Sequence, residues 1–114
     1  MSKIERIIKF IERQYVSGHG DVRANVEALF SEDLEYHVDG ETLAREDLVA
    51  MGRAVRASPQ TGRRVEGSRF REEGETVHWH LSAVLPGLGE NGTEARQESD
   101  LSARFTSDGR IREV

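Results

Sequence analysis

Residues 20–40 read GDVRANVEALFSEDLEYHVDG, and the hydrophobic period changes partway through. Asp21 offers a side-chain oxygen to a helix N-terminus, and Val22, Val26, Leu29 and Phe30 follow at helical spacing. From Leu34 the pattern alternates. Leu34, Tyr36 and Val38 point one way, and Glu35, His37 and Asp39 the other. A helix therefore runs into a strand with almost no connection.

The flanking sequence extends this plan. Upstream, SKIERIIKFIERQYV opens with a capping box, Ser2 then Glu5, and Ile4, Ile8, Ile11 and Tyr15 are predicted to share one helix face. Gly18 and Gly20 end that helix. Downstream, a third helix is predicted from about Arg45 to Ala57, with Leu48, Met51, Gly52 and Val55 on its inner face. Glu46 and Asp47 suit its positive end, and Pro59 follows it.

The period then becomes two. Strands are predicted at 63–71, 76–85, 95–105 and 110–114, with turns at Glu73-Gly74 and Asp108-Gly109 and a glycine-rich loop at 86–94. Helices followed by an antiparallel meander make an α+β domain.

A chain of 114 residues is expected to form one domain, residues 1–114. The net charge of −5 lacks the basic footprint of a nucleic-acid partner. With no cysteine there is no disulfide, thiolate zinc site or cysteine nucleophile. No apolar run is long enough to span a membrane, and MSKIERIIKFIER is too charged for a secretory signal, so a cytoplasmic location is expected. Asn91-Gly92-Thr93 then reads as a turn rather than a glycan site. Only 36% of the residues are hydrophobic, and a small polar domain often completes its burial by dimerising.

Three phrases, GDVRANVEALFSEDLEYHVDG, AREDLVAMGRAV and ARFTSDGRI, occur in an order that resembles the NTF2-like fold, especially its SnoaL-like and ketosteroid-isomerase-like branch. The resemblance implies a cone-shaped (cystatin-like) fold in which three N-terminal helices pack against a curved antiparallel sheet. It implies an apolar pocket between helices and sheet, and a homodimer through the convex sheet face. Fold alone does not assign function, since this one hosts isomerases, cyclases, hydrolases and non-catalytic domains.

The family's catalytic patterns transfer poorly. In the isomerase pattern the base falls on Val38, the donor tyrosine near Ile11 with Tyr15 a turn further on, and the acid on Leu101. The epoxide-hydrolase pair falls on Leu81 and Ala83, and the cyclase aspartate nearest Glu113. Asp39 and Asp100 each stand one residue from an expected slot, and a β-bulge would turn either inward.

Other residues carry two readings each. His78 and His80 stand two apart and would ligate a metal with His37, but Val77, Trp79 and Leu81 are the apolar set, which sends the histidines to the convex face. Trp79 is core or pocket wall. Arg63, Arg64, Arg69 and Arg71 form a solvated basic stretch, unless Arg69 points inward to an anionic substrate.

The expectation is a SnoaL-like protein that binds a small, partly hydrophobic organic molecule, with no cofactor and no metal. Tyr15, Tyr36, Val38, Trp79, Leu81 and Leu101 are the predicted ligand contacts. If the protein is an enzyme, it is expected to move a proton next to a carbonyl, as an isomerase or polyketide cyclase would. Asp39 would be the base, assisted by His37, with Tyr36 or Asp100 stabilising the oxyanion. The alternative is a non-catalytic ligand-binding or association domain.

Overall fold

A computed structural model describes residues 1–114. Helix α1 (Lys3–Ile11) continues into a π-helical turn over Glu12–Val16, and α2 (Val22–Leu29) follows. Strands β1 (Phe30–Val38) and β2 (Glu41–Leu43) precede α3 (Arg45–Ala57). Then come β3 (Arg64–Glu73), β4 (Thr76–Leu85), β5 (Ala95–Phe105) and β6 (Ile111–Glu113).

The helix boundaries follow local chemistry. Ser2 Oγ accepts from the Glu5 amide at 3.1 Å while Glu5 reaches back to the Ser2 amide. Asp21 accepts from the Ala24 amide at 2.9 Å and opens α2. At α3, the Asp47 carboxylate accepts from the Ala44 amide at 2.7 Å. Helix α2 ends at Leu29, and Phe30 is already extended.

The buried stripe of α1 differs from the predicted one. Ile7 and Ile11 are buried, whereas Ile8 is 47% exposed. Ile4 and Tyr15 are partly buried and packed against the core.

The six strands lie in the order β2-β1-β6-β5-β4-β3. The sheet is curved and open, but it is mixed rather than antiparallel, because β1 and β6 run parallel. Strand β6 returns along β5 through the turn at Gly109 (φ 81°). Strand β1 then pairs with the other edge of β6 in the same direction, with α3 and β3–β5 as the long crossover that parallel pairing requires.

Strand β2 is the element that the periodicity did not predict. It pairs with β1 as a hairpin, with Tyr36 opposite Leu43 and Val38 opposite Glu41. Asp39 (φ 48°) and Gly40 (φ 80°) form the turn, both left-handed as a type I′ turn requires.

The core lies between the helices and the inner face of the sheet. Val26, Val77 and Ala103 have no exposed surface, and Phe105 and Ile111 almost none. The Phe70 ring stacks on Trp79 with centroids 6.3 Å apart.

Two pairings are irregular, β1 with β6 between Phe30 and Glu35, and β3 with β4 between Ser68 and Arg71. The β4–β5 register is unbroken from Thr76–Arg104 to Leu85–Ala95. That continuity decides which residues reach the site.

Candidate functional site

The inner face of the sheet and the helices line a partly open cavity of about 100 Å³. Of its 19 lining residues 18 are hydrophobic, and the other is Gln97. No lysine, arginine, histidine, aspartate or glutamate lines it.

Among the residues named from sequence, Tyr15, Tyr36, Trp79, Leu81 and Leu101 line this chamber. Val38 does not. It is half-buried at the end of β1, beside the hairpin turn and past the chamber wall.

The proposed proton-transfer residues all lie outside. Asp39 is exposed at the turn of the β1–β2 hairpin. The bulge expected to turn it inward lies upstream, between Phe30 and Glu35, and Tyr36 beyond it already faces the chamber. Asp100 is paired with His80 while Leu101 is paired with Trp79. Side chains alternate across an unbroken ladder, so Asp100 is sent to the outer face. Its side chain is 90% exposed. His37 is exposed beside Thr42, with Nδ1 3.2 Å from the threonine hydroxyl and Nε2 3.5 Å from Glu113.

The histidines do not converge either. His78 and His80 occupy the outer face of β4, and His37 is on β1, with β6 and β5 between. His78 Nδ1 is 2.7 Å from the Ser102 hydroxyl. His80 sits between Asp100 at 2.9 Å and Glu98 at 3.2 Å. The Asp100 hydrogen bond, helped by Glu98, holds the His80 imidazole above its ordinary pKa. Arg69 is exposed at the β3 bulge, in a left-handed conformation (φ 53°), and is not inward.

Apart from Gln97, the polar groups at the chamber wall are the Tyr15 and Tyr36 phenols and the Trp79 indole, all hydrogen-bond donors. Burial pushes the Tyr15 phenol well above its usual pKa, and nearby Tyr36 adds to the shift. Burial also raises Tyr36. No hydrogen bond contributes to either shift, so both hydroxyls are uncommitted donors that stay protonated at neutral pH. The Trp79 indole N–H is enclosed without an acceptor. Because it holds no bond, turning it toward a ligand oxygen breaks none.

Such a chamber can hold an apolar body and donate hydrogen bonds to an oxygen. It has no group to act as a base at neutral pH. Sequence reasoning passed over Gln97 at the chamber wall and Val114 beside β1. Gln97 was legible, since it shares strand parity with Leu101.

No family model matches the chain, and no curated protein matches it. Solved structures do. SalBIII, an epoxide hydrolase/cyclase-like enzyme of pyran ring formation in the polyether salinomycin, is 20% identical with a TM-score of 0.74, over 97% of this chain and 85% of that one. IdmH, a putative polyketide cyclase from Streptomyces antibioticus, is 16% identical with a TM-score of 0.71, over 99% and 88%. An NTF2-like protein of unknown function from Exiguobacterium sp. 255-15 is 15% identical with a TM-score of 0.66, over 98% and 93%. Identities this low speak for shape and not for chemistry. With three helices on one face of a curved, open six-stranded sheet, the chain has the NTF2-like fold.

Proposed function

We propose that this is a SnoaL-like small-molecule-binding protein whose chamber takes a neutral, compact organic molecule bearing an acceptor oxygen. One observation carries the reading: two partly buried tyrosines, whose hydroxyls make no hydrogen bond within the chain, line a cavity whose other walls are apolar except at Gln97. Two donors left free at an apolar wall are available to an acceptor oxygen that enters the chamber. Neutrality follows from the lining, which offers no countercharge to a buried ion.

Size follows from volume. A dry apolar cavity of about 150 Å³ accommodates benzene. At about 100 Å³ and partly open to the surface, this chamber suits a single small ring that projects at its mouth, and a steroid needs it to widen.

Trp79 is the only tryptophan and stands in the wall, so its fluorescence reports binding. Cyclohexanone and methylenecyclohexane share a shape but differ in the acceptor. The ratio of their affinities should fall about fivefold for Tyr15→Phe and again for Tyr36→Phe, the worth of one ordinary hydrogen bond each. A ratio unchanged in both variants would overturn the reading.

The kinship of fold with SalBIII and IdmH favours a second reading, a cyclase-like enzyme. Catalysis here is confined to what donors supply: holding a substrate folded, excluding water and stabilising negative charge on an oxygen. Binding without proton transfer predicts no protein-dependent deuterium uptake at the α-carbon of cyclohexanone in D2O. Uptake above the buffer rate that disappears in Tyr15→Phe favours the enzyme.

A further inference from the structure

Behind the chamber, Arg56 of α3 reaches the end of the first helix without a carboxylate partner. Its guanidinium donates to the carbonyls of Arg13 at 3.2 Å, Gln14 at 3.4 Å and His19 at 2.9 Å, and also to that of Gly20. It donates as well to Gln14 Oε1 at 3.1 Å. Gln14 is wholly buried, and its amide nitrogen donates to the Val22 carbonyl at 3.2 Å. Asn25 adds a bond to Gln14 Oε1 at 3.0 Å. Gly52 makes the room, since a Cβ there would lie 2.5 Å from the Gln14 amide nitrogen.

The bonds to Arg13 and Gln14 fall on the π-helical turn of Glu12–Val16, where the Ser17 amide donates to the Glu12 carbonyl at 2.8 Å, and those to His19 and Gly20 tie the loop that follows it. Short π segments often mark functional sites, and a cation at the carbonyl end of a helix is well placed. The turn has a geometric consequence. In a continuous α-helix, at about 100° per residue, Tyr15 would lie two turns above Ile8. Ile8 is 47% exposed, so a regular helix would aim Tyr15 at that outer side. A π turn advances through a smaller angle per residue and swings Tyr15 away from the Ile8 side toward the side of Ile7 and Ile11, which are both buried and line the chamber.

We propose that Arg56, with Gln14, is a positioning pair that holds the π turn and so aims the Tyr15 hydroxyl into the chamber. This rests on the reading of Tyr15 as a ligand donor. The test uses the same two probes on the full chain, with Arg56→Met, Tyr15→Phe and their combination.

Arg56→Met is expected to lower the ketone-to-alkene ratio about as far as Tyr15→Phe, roughly fivefold. The double variant should fall no further, and alkene affinity should persist as proof of an intact chamber. In a Tyr36→Phe background, Arg56→Met should also return the Tyr15 absorbance titration toward the value of free tyrosine. Arg56→Lys, which keeps the charge but not the fork, should recover part of both signals and carries the same test should Arg56→Met not fold.

A ratio that falls in Tyr15→Phe but not in the Arg56 variants overturns this inference alone. Losses that add in the double variant overturn it too. A ratio unmoved by Tyr15→Phe removes the Tyr15 donor on which the inference rests, and it overturns the binding reading itself when Tyr36→Phe leaves the ratio unmoved as well.

Discussion

Tyr15 and Tyr36 are phenols that burial keeps protonated. Their folded pKa values lie above the ordinary tyrosine value of about 10. The sign of the linkage follows. The stability that the neutral buried forms contribute is fully present below pH ~10 and is lost as pH rises through the folded values, because the unfolded chain ionises first. Urea midpoints should therefore fall between about pH 10 and 12, and fall less steeply in Tyr15→Phe; parallel slopes would contradict the burial argument. At this scale the sequence was half legible. Alternation put Trp79 and Leu101 on the inner side, where the unbroken β4–β5 register keeps them, and Tyr36 on β1 lines the chamber too because the irregularity in that strand lies before it. It could not show that Gln14 is buried, since a glutamine's partners come from α2 and α3.

Elements explain the misplaced base. Asp39 belongs to a hairpin turn, and Asp-Gly between extended segments is the local signal for a type I′ turn. The same dipeptide was read as a turn at Asp108-Gly109, so strand β2 was legible in principle. Asparagine suits this turn equally well. Asp39→Asn should therefore leave urea stability within about 0.5 kcal/mol of wild type, as surface changes usually do, and probe binding unchanged. Loss of probe binding with stability intact would restore Asp39 to the site. The π turn was not legible, because hydrogen bonds from α3 hold it, and only local spacing can be read from the chain. Nor was the parallel β1–β6 pair, which joins segments far apart in sequence.

For the molecule as a whole, the curved sheet and three helices create an apolar hollow and leave the charged groups outside it. Rows of arginine, glutamate and histidine occupy the outer face, where Arg71 meets Glu73 at 2.9 Å and His80 meets two carboxylates. The family resemblance gave the overall shape because the order of helices and strands survives sequence divergence. It did not give the chemistry, because apolar residues stand at Ile11, Val38 and Leu101, where the isomerase pattern has polar ones. The central claim is a greasy chamber whose polar equipment, Gln97 apart, consists of donors. The most direct measurement is the 13C resonance of carbonyl-labelled cyclohexanone bound to the protein. Hydrogen bonds from Tyr15 and Tyr36 should move it downfield of its position in hexane, and each Tyr→Phe substitution should move it part of the way back. A bound resonance at the hexane position, unaffected by either substitution, would contradict the account.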